Sequence, residues 1–311
     1  MNNSRIIIPS YLGPTREIGE VRLRIHIEQL NTLTKTFPGL EIFSICSGYE
    51  QSQKDLVSNF QCEFLPRPTQ KYVKYRIIFD QLLKSRKLTS VLLLDDDTLP
   101  DSANEFGLDT VRTIEQWLND PNSMPAPVIF FSGRGLLHDT YTDNRPPTIG
   151  TAPIHVAGAM IMIRSDAQIS IFDSDFTHYR SKKFVSDDTV LRIKFASLGI
   201  PVAKHRGIFF KTILPPGNNR VSTVANSHRD RKRHRLETDD HIQTKWPWLF
   251  ISWKGKRPLP VWELRGKKLK MLLDCGALKR NEAGIIYPVP KWLKMANSPT
   301  HSRPSLLEIL A

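Results

Sequence analysis

The stretch "SVLLLDDDTLP", residues 90–100, runs a serine and four aliphatic residues straight into three consecutive aspartates. A short, unbroken apolar run suits a strand covered on both faces rather than one with a wet face. Asp95, Asp96 and Asp97 then fall at its carboxyl end, the edge at which open α/β sheets hold their ligands. Three like charges so close together cost free energy unless something positive joins them. A divalent cation is the expected partner, and hard carboxylate oxygens beside phosphate oxygens suit Mg²⁺ or Mn²⁺ better than zinc. The plainer alternative is a strand cap that opens a turn through Thr98 and Pro100. One or two aspartates would make that turn without the repulsion.

Strand, loop and helix alternate on both sides of this run. Arg5 to Pro9 reads as a first strand, Ser10 to Pro14 as a loop, and about Glu17 to Lys35 as a helix. Glu41–Ser47 is a second strand, Gln51–Phe60 a short helix and Glu63–Leu65 a short strand. Tyr75, Ile78, Phe79, Leu82 and Leu83 share one face of a helix over residues 72–87. A helix at Asp109–Leu118 and a strand at Val128–Phe131 follow. Alternation on this scale predicts a single Rossmann-like, mostly parallel sheet with flanking helices.

Gly133–Pro153 lacks periodicity and reads as a long loop of the lid or binding kind. "HVAGAMIMIR" (155–164) reads as a strand with Gly158 as a point of close approach. Asp187 and Asp188 open a helix that Gly199 stops. Ile200–Ala203 and Gly207–Leu214 read as two further strands, and the basic stretch Asn226–Arg235 as exposed. A basic helix over Leu264–Cys275 and a hairpin across Asn281–Gly284 complete the chain. Helix and wing of that kind serve in nucleic-acid-binding modules and, as often, as plain structural appendages.

Charge is divided unevenly. Residues 1–200 hold 22 Lys or Arg against 23 Asp or Glu, net −1, while residues 201–311 hold 22 against 8, net +14. So sharp an asymmetry favours an acidic partner, nucleic acid or an anionic membrane. Of the 311 residues, 40% are hydrophobic, enough for a sizeable core. No apolar run is long enough for a membrane span, and the amino terminus carries no signal-peptide pattern. The cysteines, Cys46, Cys62 and Cys275, form no framework. A cytoplasmic location is expected, that of a host cell if the chain is viral.

"VLLLDDDTL" closely resembles the metal-binding strand end of exostosin-like glycosyltransferases, and more broadly the Asp-x-Asp motif of A-fold nucleotide-sugar enzymes. "VAGAMIMIRSD" and "SDDTVLRIKFASLG" follow in that family's order, so the resemblance covers roughly residues 5–210. It implies an A-fold glycosyltransferase domain over residues 1–254, leaving a basic extension over 255–311. It implies Asp97 as chief metal ligand, Asp96 as a second or water-mediated one, and Asp95 as a partner of the ribose. Ser10, Tyr11 and Arg16 would hold base and ribose, and Lys71, Lys74 and Arg76 the diphosphate of a donor, a UDP-sugar by first expectation. Asp188, then Asp187, would serve as general base or as sugar-binding group, against the simpler reading of a helix N-cap. His228, then His205, would complete the metal site.

Animal relatives of that family are secretory membrane proteins, so their acceptor does not transfer to this chain. The basic carboxyl-terminal third points instead to a hydroxylated base in DNA of the kind modified by viral glycosyltransferases. The rivals are a peripheral membrane transferase acting on a lipid-linked or surface glycan and a non-catalytic nucleic-acid-binding protein.

Overall fold

The computed structural model describes residues 5–12, 15–65, 88–101, 109–134, 148–152, 154, 160–167, 186–213, 228–253 and 256–296. The expected helix over 72–87, with Lys71, Lys74 and Arg76, lies outside the described residues, as does the Gly158 approach. In chain order the strands are β1 (Arg5–Tyr11), β2 (Glu41–Ser47), β3 (Gln61–Leu65), β4 (Ser90–Leu93), β5 (Thr98–Pro100), β6 (Val128–Arg134), β7 (Ile149–Thr151), β8 (Ile161–Arg164) and β9 (Val202–Thr212). They form one sheet in the order β3-β2-β1-β4-β8-β6-β9-β5, with β7 also on β9. The α/β class and the single sheet with flanking helices are as expected. Its longest ladders, β1 with β2 and β6 with β9, are parallel. β8, β5 and β7 enter antiparallel.

Alternation along the central strands explains why the aspartate run begins as unbroken hydrophobicity. Val91 and Leu93 of β4 join one core, with Ile7, Val128 and Phe130, while Leu92 and Leu94 join the other, with Ile6, Ile8 and Ile129. Both faces are therefore dry. Helices α1 (Arg16–Thr36) and α3 (Thr110–Asn119) cover the second face through Leu23, Leu30, Leu33, Ile114 and Trp117. The first face is covered by α4 (Asp187–Ser197), by Ile242 of α5 (His228–Lys245), and by the carboxyl-terminal segments. A short helix, α2 (Gln51–Leu56), links β2 to β3.

Two expectations change. The two strands expected at 200–203 and 207–214 are one, β9, whose register against β6 jumps from His205 to Phe209. The jump is a bulge, held because His205 Nδ1 accepts from the backbone N–H of Gly207 and Ile208, both at 3.1 Å. Parts of the expected loop at 133–153 are strand: Gly133 and Arg134 close β6, and β7 pairs with β9. From His228 onward the basic stretch forms the start of α5, with Lys232, Arg233 and Arg235 exposed as expected.

Beyond the sheet, β10 (Phe250–Trp253) pairs with β11 (Lys256–Pro260), α6 (Gly266–Asp274) precedes the hairpin β12 (Leu278–Arg280) and β13 (Ile286–Pro288), and α7 (Pro290–Ala296) follows. The helix-then-hairpin order matches the expectation. The boundary expected at 254/255 falls between the paired strands β10 and β11, and the buried residues beyond it, among them Val261, Trp262, Leu272, Leu278 and Leu293, belong to the same cluster as Ile7 and Val91. Gly199, at φ 76°, stops α4 as expected; a Cβ there would meet Pro288 O at 3.2 Å, so the hairpin closes directly on the helix end.

Candidate active site at the carboxyl edge of the sheet

β1 pairs with β2 on one side and β4 on the other, so the chain reverses its direction of travel across the sheet at the β1–β4 seam. That seam is a topological switch point, where the diverging connections leave a crevice at the carboxyl ends. Leu94 N donates to Ile7 O (3.1 Å), and the chain then turns through Asp95–Asp97, with Thr98 N donating to Asp95 O. The aspartate run stands at this edge, with Asp96 bonded to Ser10 and Tyr11, which are the last two residues of β1 rather than the loop expected from the sequence.

The three carboxylates are not equivalent. Asp96 is buried and turned into the protein, where Ser10 Oγ (3.0 Å) and Tyr11 N (3.1 Å) donate to Oδ2 and Arg22 Nη2 donates to Oδ1 at 2.5 Å. Burial alone would raise its pKa. The positive charges of Arg22 and His26, with the donors from Arg22 and Tyr11 N, outweigh burial and hold it below the ordinary carboxylate value. Burial in turn would lower the Arg22 pKa, but Asp96 first, then Asp97 and Asp95, raise it. Asp95 and Asp97 are half-buried. Their backbone carbonyls fix the turn: Asp95 O accepts from Gln29 Nε2 (2.6 Å) and Thr98 Oγ1 (3.0 Å), and Asp97 O from Ile213 N (2.7 Å).

The positive group that the sequence demanded is thus supplied in part by the protein. Arg22, His26 and Gln29 lie on the sheet-facing side of α1, four and three residues apart. Arg22 Nε also donates to Tyr11 O (2.8 Å), tying both strand ends to the helix. Gln29 Nε2 spans Asp95 O and Thr98 O (2.7 Å), and His26 Nε2 shares a hydrogen bond with Ser44 Oγ at 2.9 Å. None of the three was read as a site residue. The signal was present as polar side chains interrupting the stripe of Leu23, Leu30 and Leu33.

Arg16, expected on base and ribose, opens α1 and pairs with Glu20 on the exposed side (3.2 Å). His205 is buried, with its ring against Trp117 and its Nδ1 accepting from the backbone N–H of Gly207 and Ile208. His228 is the first residue of α5; its side chain, like that of Asp187, lies outside the described residues.

Asp188 is buried in the first turn of α4, at 8% exposure. α4 packs on β9 and enters it through residues 198–201, so helix and strand run antiparallel. β9 is parallel to β6, and β6 to β4 through their shared antiparallel neighbour β8. The first turn of α4 therefore lies toward the same sheet edge as the aspartate run. Ser186, the residue before it, donates its N–H to Thr238 Oγ1 of α5 at 2.9 Å. The basic helix is thereby fastened to the acidic helix start.

Among the described residues, no group of three or more His, Cys, Asp or Glu is arranged to hold a metal ion. Asp95 and Asp97, half-buried at this turn, are hard oxygen ligands of the chemical type that Mg²⁺ and Mn²⁺ take. Among the described residues, no helix is long and apolar enough to cross a membrane.

No protein-family model matches the chain, and no curated protein matches it. Solved structures with a similar backbone path include a mannosyltransferase from Pyrobaculum calidifontis in complex with GDP-Man and Mn²⁺, at 15% identity and TM-score 0.47, covering 79% of this chain and 64% of that one. A nucleotide-diphospho-sugar transferase from Desulfovibrio desulfuricans G20, described there as putative, is 12% identical at TM-score 0.42, covering 78% and 98%. The inositol-1-phosphate CTP transferase from T. maritima is 12% identical at TM-score 0.38, covering 78% and 96%.

Proposed function

We propose that this chain is a metal-dependent glycosyltransferase of the A fold, moving a sugar from a nucleotide diphosphate sugar, a UDP-sugar by preference, to a hydroxyl of a modified base in DNA. The observation that carries the reading is the aspartate turn at the switch point. There Asp96 is held by Arg22, Ser10 and Tyr11, and the half-buried carboxylates of Asp95 and Asp97 stand on either side of it. A capping turn has no need of a buried arginine.

In this reading Asp97 is the chief metal ligand and Asp95 meets the ribose. Asp96, with three donors on its two oxygens, becomes a positioning residue rather than a ligand. Asp97 would hold a Mg²⁺ or Mn²⁺, which would supply positive charge to the diphosphate leaving group. Asp188 accepts the acceptor's proton if the reaction inverts, or orients the sugar if it retains. His228 is the candidate additional ligand. α5 supports the DNA acceptor: Lys232, Arg233 and Arg235 are exposed on a helix bonded directly to the turn before Asp187. The membrane alternative draws on Leu236, 59% exposed on the same helix, since basic side chains beside an exposed aliphatic also suit an anionic bilayer.

The test is incorporation of labelled sugar, with Mn²⁺, into hydroxymethylated duplex DNA compared with anionic vesicles carrying glycolipid. Incorporation into DNA supports the reading; incorporation into glycolipid alone overturns the acceptor. Asp97→Asn should abolish metal-dependent turnover without lowering stability, because it removes a ligand charge and relieves repulsion. Full turnover by that variant would remove the catalytic assignment.

A further inference from the structure

Arg192, on α4, is the largest fully buried side chain of the described core, at 1% exposure. Its Nη2 donates to Ala152 O and reaches Glu263 Oε1 only at 3.4 Å, longer than a close charge-assisted bond. Its Nε and Nη1 are buried without a hydrogen-bond partner. The guanidinium stacks over the Trp262 ring at 4.9 Å, which offers the cation a π face but leaves the in-plane N–H groups unanswered. A buried, half-satisfied cation is expensive unless something supplies acceptors.

Beside it is a concavity of about 180 Å³, most of it continuous with solvent, lined by Arg192, Thr151, Trp262, Ile286 and Tyr287 among others. Its interior has room for about one water-sized particle. Thr151 and the half-buried Ile286 and Tyr287 stand on its wall, and Thr151 Oγ1 donates to Ile286 O at 3.5 Å. Room on this scale excludes phosphate, sulfate and any organic acid. A single-atom anion fits it, accepting from the buried Nε and Nη1 of Arg192.

We propose that this concavity is a binding site for a monovalent halide, chloride in solution, held between Arg192 of α4 and the carboxyl-terminal segments that carry Trp262 and Tyr287. Glu263 is a counter-ion shared with solvent, its side chain 24% exposed, and leaves the inner side of the guanidinium to the halide. Burial lowers the Arg192 pKa to about 10, so the group is still charged at neutral pH and a negative partner on its inner side is favoured. Occupancy would tie α4, which begins at Asp188, to the β12–β13 hairpin.

The test is thermal unfolding of the full chain in sodium chloride, sodium bromide and sodium gluconate at matched ionic strength. Chloride and bromide should raise the midpoint saturably, by roughly 2–4 °C at tenfold excess over the dissociation constant, while gluconate does not. Crystals soaked in bromide should show an anomalous peak beside Nε or Nη1 of Arg192. Arg192→Lys retains the cation but not the Nε and Nη1 donors, and should weaken the halide response several-fold with little change in gluconate. Arg192→Met should abolish the response; if it does not fold, the lysine variant and the bromide peak still decide. Equal midpoints in halide and gluconate, or a water at the site with no bromide peak, would overturn the proposal.

Discussion

Asp96 is tightly constrained because the cation it pairs with, Arg22, is itself buried, with side-chain exposures of 8% for Asp96 and 11% for Arg22. Removing one member of such a pair strands the other charge. Arg22→Met should therefore cost about 3–5 kcal/mol in denaturant unfolding. The double variant Arg22→Met with Asp96→Asn should recover much of that loss, and equal losses in single and double variants would show that the pair is not the cause. His205 makes a second residue-scale prediction. Burial depresses its pKa to about 4, and its neutral ring accepts two backbone N–H groups. A depressed folded pKa contributes stability that is complete above the ordinary histidine value of about 6.5 and is lost as pH falls toward 4. The whole window is worth on the order of 3 kcal/mol. Urea midpoints measured from pH 7 to 4 should fall across it in the wild type and stay flatter in His205→Gln.

At the scale of elements, the apolar patterns were legible and the polar ones were not. Continuous runs such as Ile6–Ile8 and Val91–Leu94 announce strands dry on both faces, and α1 and α4 follow from their caps and stripes. α5 was not legible: "HRDRKRHRLETDDHIQTK" is polar on nearly every side, and a period call needs apolar residues to read. The helix is stabilised locally by pairs such as Arg233 with Glu237 (2.7 Å), and among its described side chains Thr238 and Ile242 are buried. Thr238 answers both Ser186 N and His234 O, which no single-residue propensity foretells. This junction separates two roles at the α4 start. Asp188→Asn should cut transfer by on the order of 10² while leaving donor affinity within a few fold. Thr238→Val leaves the carboxylate in place but frees Ser186 N, and should lower stability by about 1–2 kcal/mol. Equal losses of donor binding and transfer in Asp188→Asn would mark it as part of the donor site instead.

For the molecule as a whole, charge and core divide the chain differently. The excess of positive charge begins near residue 201, which invites a reading of a catalytic body with a detachable basic appendage. The core has no such division. Val261, Trp262, Leu264, Leu272, Leu278, Leu293 and Ala296 are buried in the same cluster as Ile7, Val91, Val128 and Val190. Pro288 and Pro290 close on Gly199, and Asn281 Nδ2 donates to Pro125 O at 2.9 Å. Composition could not reveal this, because lysines on the exposed side of a short helix dominate its average while Leu272 or Leu293 carries its packing. A chain ending at residue 254 should therefore lose β11 from its ribbon, expose the apolar faces of α4 and β8, and leave Arg192 without Trp262 and Glu263. The expected outcome is a protein that is insoluble or melts without a cooperative transition by circular dichroism, since unpairing a buried charge and opening a core are both among the costliest changes a fold can suffer. A truncated chain that instead unfolds cooperatively within roughly 5 °C of the full one would require the basic segment to be an independent module, and would return it to the role of a separable recruiting element for the acceptor.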